Sequence, residues 1–169
     1  GIIKKTQLEA YSRPRQNGVN AITIKDGDEL ISANLTSGAA DIIIAARDGK
    51  AIRFPEEKVR PIGRTGAGVR AITIEGDDRV VGMICMEPGS ENDILVLSEN
   101  GYGKRTDLEA YRITNSGGKG VTTMMITEKT GTLVSIQPVS HAHDLMIITK
   151  NGHTIPHAAS DNRLARSAT

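Results

Sequence analysis

The residues of this chain that could do chemistry are its lysines and arginines, which recur at matching places. The glycines at positions 1, 49 and 101 are each followed four residues later by a cation: Lys5, Arg53 and Arg105. Residues 1–20, 49–70 and 101–121 hold 14 basic against 5 acidic residues, whereas the intervening stretches up to residue 150 hold 5 basic against 14 acidic. Clustered cations of this kind bind phosphate-like anions through charge and hydrogen bonds.

Other kinds of chemistry have little support in the sequence. The segment His141-Ala-His143, with His153 and His157, has no zinc-ligand spacing, and we interpret these histidines as loop residues. Cys85, the single cysteine, lies in an apolar segment where a buried, unreactive thiol is expected, and it indicates a reducing compartment. No nucleophile–base pair or carboxylate dyad recurs, so we expect a non-catalytic chain with no metal and no cofactor. No apolar run approaches the length of a membrane span, so no membrane partner is expected.

The elements that must position the cations repeat with a period of about 50 residues. Apolar segments begin at Asp41, Asp93 and Asp144, and each ends at Asp-Gly or Asn-Gly, with the glycines at positions 49, 101 and 152. Short runs of branched apolar residues predict strands buried on both faces, and the following turn dipeptides predict hairpins. We expect an all-β, propeller-like array of four-stranded blades, about three plus a partial one, with units at about 1–40, 41–92, 93–143 and 144–169.

Three further predictions concern the segments around these hairpins. Residues 69–74 alternate with period two and predict a strand. Single helical turns are expected at residues 8–11 and 56–59. In the last unit Pro156 stands where the other units have Lys5, Arg53 and Arg105. Because proline cannot donate a hydrogen bond to a sheet, we do not expect residues from His153 onward to form a regular blade.

The in-phase cations predict a basic stripe along one edge of the array, because stacked repeats place equivalent elements side by side. Such a stripe is the electrostatic footprint of a protein that binds a nucleic-acid backbone. With one Phe, three Tyr and no Trp, the chain has few platforms for base stacking, which favours duplex DNA and little sequence readout. The predicted phosphate contacts are Lys4, Lys5, Arg13, Arg15, Arg53, Arg60, Arg64, Arg70, Lys104, Arg105, Arg112 and Lys119.

Several segments resemble the C-terminal domain of the bacterial DNA gyrase A protein. They are Gly1-Ile-Ile-Lys-Lys-Thr6, Asp26-Gly-Asp-Glu-Leu-Ile31, Gly49-Lys-Ala-Ile-Arg-Phe54, Val59-Arg60-Pro61 with Gly63-Arg64, and Glu99-Asn-Gly-Tyr-Gly-Lys-Arg-Thr106. The resemblance runs from Gly1 to about Gly152. It implies a β-pinwheel whose blades exchange strands and whose basic rim wraps double-stranded DNA in support of negative supercoiling. It also implies, as partners, the rest of gyrase A and the ATP-binding gyrase B protein, in the bacterial cytoplasm and associated with the nucleoid.

The sequence departs from this family in one motif. The Gln-Arg-Arg-Gly-Gly-Lys-Gly box of the family is absent, and Asn115-Ser-Gly-Gly-Lys-Gly120 resembles a degenerate counterpart without the arginines. Two alternatives to a DNA-wrapping gyrase A domain therefore stay open. One is the equivalent C-terminal domain of the topoisomerase IV protein that corresponds to gyrase A, and the other is a propeller-type module that binds an acidic protein partner through the same rim.

Overall fold

The computed structural model describes residues 1–152 and the backbone of residues 154–158, and the regular structure of these residues is β apart from three single 3₁₀ turns. The turns span Leu8–Tyr11, Glu56–Lys58 and Leu108–Ala110. The strands are β1 (Ile2–Ile3), β2 (Asp41–Ala46), β3 (Lys50–Pro55), β4 (Val69–Arg70), β5 (Val80–Met86), β6 (Asp93–Ser98), β7 (Gly103–Thr106), β8 (Val121–Thr122), β9 (Leu133–Val139), β10 (Asp144–Ile148) and β11 (Thr154–Ala158). The prediction of an all-β array is confirmed.

The predicted hairpins all form. β2 pairs with β3, β6 with β7 and β10 with β11, each in antiparallel register. Gly49, at the turn between β2 and β3, has a φ of 91°, in the left-handed region that glycine adopts without steric cost. A Cβ at this position would also lie 2.1 Å from the carbonyl oxygen of Met124. The turn glycine therefore serves both the hairpin and the close approach of the next repeat.

The sheets draw strands from more than one repeat. The largest has the order β5-β2-β3-β8, in which Ala51 of β3 pairs with Val121 of β8. The same exchange occurs one repeat earlier, where Ile3 of β1 pairs with Val69 of β4. The other sheets have the orders β7-β6-β9 and β10-β11. Strand exchange of this kind ties each blade to the next through backbone hydrogen bonds.

The apolar core lies on both faces of the central hairpin strands. Side chains alternate along β2, so Ile43 joins a cluster with Ile94 and Ile136, whereas Ile42 and Ile44 join a second cluster on the opposite face. Residues 42–46 are all buried. The core is therefore formed between blades, which explains why these strands are almost continuously apolar.

We expect Gly120→Ala to destabilise the fold because Gly120 lies where β8 crosses onto β3. It has a φ of 80°, and a Cβ there would lie 2.4 Å from the carbonyl oxygen of Ala51. Gly18, at the equivalent repeat position, has the same φ with nothing within 4 Å of its Cβ position. Gly120→Ala should lower the free energy of unfolding by about 2 kcal/mol more than Gly18→Ala, because only the former pushes two strands apart. Urea unfolding followed by circular dichroism measures this difference, and equal losses would contradict the explanation.

One local prediction is wrong. Of the predicted strand at residues 69–74 only Val69–Arg70 forms, because the next backbone N–H groups bond to two different partners: Ala71 to Gly1 and Thr73 to Gly118. Residues 154–158 form β11 in antiparallel register with β10. In the described part of the chain these two strands make a two-stranded sheet, so the expectation that residues from His153 onward form no regular four-stranded blade stays a prediction. Pro156 is accommodated because β11 has β10 as its single neighbour in the described part of the chain, and edge strands tolerate proline. His153 and residues 159–169 lie outside the described residues.

Candidate nucleic-acid interface

Two of the predicted phosphate contacts lie inside the blades. Arg53 and Arg105 are 6% and 5% exposed. Nη2 of Arg53 lies 2.5 Å from Oδ2 of Asp41, and Nε of Arg105 donates to Oδ2 of Asp93 at 2.8 Å. A guanidinium that is buried and paired in this way does not face a phosphate at the rim. We therefore withdraw Arg53 and Arg105 from the predicted contacts.

Lys5, the third cation at this repeat position, points into the next repeat. Its Nζ lies 3.2 Å from the carbonyl oxygen of Glu56 and 3.3 Å from Oε1 of the same residue. Glu56 is 2% exposed and also accepts hydrogen bonds from Ala40 N and Thr36 Oγ1. Burial by itself would raise the pKa of Glu56, but these hydrogen bonds and the Lys5 charge outweigh it and hold the pKa below its usual value. Lys5 therefore serves a buried carboxylate.

Three further predicted contacts are half-buried: Lys4, Arg64 and Lys104. Nζ of Lys4 donates to the carbonyl oxygen of Ala21 at 2.6 Å and to that of Arg64. Nη1 of Arg64 in turn donates to Asn20 O at 3.3 Å. Burial, followed by the neighbouring Arg64 charge, lowers the pKa of Lys4. Lys4 and Arg64 thus join neighbouring loops, and Lys104 lies on β7.

The other predicted contacts are exposed to solvent: Arg13, Arg15, Arg60, Arg70, Arg112 and Lys119. All but Arg70, together with Arg64, lie in three loops at equivalent positions of successive repeats. These are residues 12–18, 60–68 and 112–120, which we call the first, second and third basic loops. Each basic loop carries two basic residues and no acidic residue. The structure thus presents exposed cations, without neighbouring carboxylates in the same loop, once in each of these three successive repeats.

The preceding repeat holds the second and third basic loops at matching points. Oγ1 of Thr23 donates to the carbonyl oxygen of Thr65 at 2.6 Å, and Oγ1 of Thr73 donates to that of Gly117, also at 2.6 Å. Sequence reasoning missed these threonines, although Thr23 and Thr73 recur in phase, each five residues after a Gly-Val landmark glycine. The repeated anchors give successive basic loops the same attachment to the blade before them.

A cleft of about 180 Å³ lies between β3 and the third basic loop. Its lining includes Arg53, Tyr111, Arg112, Thr114, Gly118 and Lys119, and none of its lining residues is acidic. Arg112, Gly118 and Lys119 are the exposed members of this lining, and two of the three are cations. A concave surface with cations and without carboxylates suits an anionic group such as a backbone phosphate.

The repeats of this fold match a known family along most of the described chain. A model described as the DNA gyrase C-terminal domain, a beta-propeller, matches residues 1–37, 40–85 and 92–140. The chain belongs to the DNA gyrase C-terminal domain family. The breaks between the matched segments fall just before β2 and just before β6, where new hairpins of this gyrase domain begin.

Individual relatives agree with this assignment. The chain is 46% identical over 152 residues to the DNA gyrase A protein of Staphylococcus aureus strain MRSA252. The aligned residues make up 90% of this chain and 17% of that relative. The chain thus spans about a sixth of the relative's length. It is similar to a solved DNA gyrase A C-terminal domain, with a TM-score of 0.76, 26% identity and coverage of 86% of this chain and 49% of that one. The C-terminal domain of DNA topoisomerase IV shares the fold, with a TM-score of 0.91, 20% identity and coverage of 99% and 52%.

One exposed cation of the gyrase domain is already paired with a carboxylate. Nζ of Lys119, in the segment that resembles the family's box, lies 2.8 Å from Oε1 of Glu75. The two side chains are 65% and 75% exposed. Their hydrogen bond raises the pKa of Lys119 and lowers that of Glu75. A phosphate that reaches Lys119 must compete with this carboxylate.

We expect Glu75→Gln to strengthen the binding of duplex DNA, because it frees Lys119 from its carboxylate. The gain should be about two- to fivefold in Kd, since ion pairs between exposed side chains are weak and screened by solvent. Fluorescence anisotropy with a labelled duplex at low salt measures it. The gain should vanish in a Lys119→Ala background. Glu57→Gln, which removes the same charge from an exposed residue, is the matched control, and an equal gain there would contradict the competition.

The remaining candidate residues are the histidines and the single cysteine. His141 and His143 are exposed, and Nδ1 of His143 accepts a hydrogen bond from Ser140 N at 3.2 Å. The side chains of His153 and His157 lie outside the described residues. Among the described residues there is no group of three or more His, Cys, Asp or Glu suited to a metal ion. Cys85 is half-buried, and burial raises its pKa to about 11, which keeps the thiol protonated at neutral pH.

Within the part of the chain that the structure describes, no helix has the length and apolar character needed to cross a membrane.

Proposed function

We propose that this gyrase domain binds the phosphate backbone of duplex DNA through its basic loops and wraps the duplex, in support of negative supercoiling by a parent DNA gyrase. The observation that carries this proposal is the recurrence of two cations and no carboxylate in each of the three basic loops. Phosphates repeat regularly along a duplex, so a regularly repeated cationic loop is a suitable partner. The revised contact set is Arg13, Arg15, Arg60, Arg70, Arg112 and Lys119, with Lys4, Arg64 and Lys104 in supporting positions.

Several features favour backbone contact over base readout. The described residues contain single 3₁₀ turns and no longer helix that could lie in a major groove. Phe54 and Tyr111 are buried, so they offer no platform for stacked bases. Binding of this kind orients a duplex without selecting its sequence.

We propose that the domain itself is non-catalytic and that it serves an ATP-dependent type IIA topoisomerase in the bacterial cytoplasm, together with the rest of gyrase A and the ATP-binding gyrase B protein. The 46% identity to a gyrase A protein supports gyrase over topoisomerase IV, whose likeness at 20% identity bears on the fold alone.

Duplex affinity measured across a salt series tests the proposed function. Contact with about five phosphates predicts a slope of about −4 to −5 in log K against log salt concentration. A long mixed-sequence duplex should bind more tightly than a short one, because more basic loops can engage it. Scrambling the sequence of the duplex should leave the affinity nearly unchanged.

Three results would overturn the proposal: no binding at low salt, a flat salt dependence, or a strong sequence preference. A circular dichroism spectrum of the same sample establishes that the β structure is intact when binding is absent. Competition by an acidic polypeptide that is stronger than competition by unlabelled duplex would favour a protein partner for the same rim.

A further inference from the structure

Arg53 forms an ion pair inside its own hairpin and also hydrogen bonds to the following repeat. Its Nε and Nη2 both bond to Oδ2 of Asp41, at 2.9 and 2.5 Å, which orients the guanidinium across the blade. The remaining nitrogen, Nη1, donates to the carbonyl oxygens of Leu108 and Tyr111, each at 3.1 Å. These two carbonyls belong to the 3₁₀ turn of the next repeat and the residue that follows it.

The backbone of Arg53 holds the same segment from the other side. The carbonyl oxygen of Arg53 accepts a hydrogen bond from Thr114 N at 2.9 Å and another from Thr114 Oγ1 at 3.0 Å. Arg112 and Ile113 therefore lie between two points, Tyr111 O and Thr114 N, that are both bound to Arg53. We call this set of bonds the Arg53 anchor. Arg112 itself is exposed at the start of the third basic loop.

An equivalent bond occurs one repeat earlier. Nζ of Lys5 lies 3.2 Å from the carbonyl oxygen of Glu56, which is the first residue of the 3₁₀ turn that precedes Arg60. Arg60 and Arg112 both lie 11 residues after their turn glycines. A buried cation in one repeat thus binds the turn that leads to an exposed arginine in the next repeat.

We propose that Arg53 is a positioning residue for DNA binding, which acts by holding Arg112 of the next repeat in the place where it meets a phosphate. This inference rests on the proposed function of the basic loops. Arginine suits the role because its planar fork can bond to Asp41 and to two carbonyls at once, whereas a lysine ammonium is a single point charge on a flexible stem. A loosened Arg112 would lose its contribution to binding while it remains on the surface.

A double-mutant cycle on duplex affinity tests this inference. Arg112→Ala should weaken binding by about three- to tenfold in the wild-type background, as expected for one phosphate contact. In an Arg53→Lys background, which keeps the charge, the same substitution should weaken binding less than about twofold. Arg60→Ala is the matched control, because its loop is held by Lys5; its effect should be the same in both backgrounds.

The possible results separate the inference from the proposed function. If Arg112→Ala and Arg60→Ala both leave the affinity of the wild-type domain unchanged, the proposed function fails. If both weaken binding but the effect of Arg112→Ala is undiminished in the Arg53→Lys background, the positioning role of Arg53 fails. Should Arg53→Lys not fold, as judged by circular dichroism, Thr114→Val replaces it in the cycle, because it removes one bond of the Arg53 anchor and leaves the Asp41 pair intact. An undiminished effect of Arg112→Ala in that background would equally overturn the inference.

Discussion

Arg53→Met should lower the free energy of unfolding by about 3 kcal/mol, because it leaves a carboxylate and two backbone carbonyls without their partner. Asp41 would lose the cation that lies 2.5 Å away, and the carbonyls of Leu108 and Tyr111 would lose their donor. Breaking a buried pair costs about 3–5 kcal/mol, and the Asp41 side chain is still 23% exposed, so the lower end applies. Urea unfolding followed by far-ultraviolet circular dichroism measures the loss.

Two comparisons isolate the cause of this loss. Asp41→Asn in combination with Arg53→Met should recover part of the stability, since it removes the uncompensated charge. Arg15→Met, at an exposed position, should change stability by no more than about 0.5 kcal/mol. If Arg53→Met unfolds at the same urea concentration as the wild type, the ion pair does not have the structural role assigned to it here.

Reversing the charge of both Arg60 and Arg112 should weaken the binding of duplex DNA about a hundredfold at 0.1 M salt or below. Each substitution to Glu removes about one phosphate contact and introduces a repulsion, so a factor of about ten per position is expected. The slope of log K against log salt should become less steep by about two units. Duplexes of different sequence should be affected equally, because the lost contacts are to the backbone. Anisotropy titrations across a salt series measure both quantities.

The matched control reverses the same amount of charge away from the basic loops. Lys25 and Arg79 are exposed and lie in the stretches where acidic residues predominate. The double variant with Glu at positions 25 and 79 should retain most of the affinity and the wild-type salt slope. An equal loss in both double variants would mean that net charge, and not the basic loops, governs binding.

Short-range features of the sequence predicted the hairpins correctly. The residue pairs Asp48-Gly49 and Asn100-Gly101 follow apolar strands and turn the chain where predicted, because this turn chemistry is local and needs no other part of the fold. The period of about 50 residues, read with the continuous apolar character of residues 42–46, indicated stacked blades with strands buried on both faces, and the structure bears this out.

Long-range pairing was not predictable from the local sequence. β3 pairs with the two-residue strand β8, although Ala51 and Val121 are separated by 70 residues. A two-residue strand has no periodicity of its own, so it cannot be distinguished from a loop by pattern. Residues 69–74 show the opposite case. They alternate like a strand, but no single strand pairs with them, because their N–H groups bond to two separate segments that the fold brings close.

In the candidate site, too, some features were predictable from the sequence and others depended on the tertiary structure. Repetition alone identified the three positively charged stretches, to which Arg60 and Arg112 belong. Only the tertiary structure decided that Arg53 lies inside and Arg60 outside, although both belong to the same basic stretch. The physical reason is that the position of a cation depends on the partners that the fold brings to it: Arg53 meets Asp41 across a hairpin and the carbonyls of the next repeat, whereas Arg60 meets solvent.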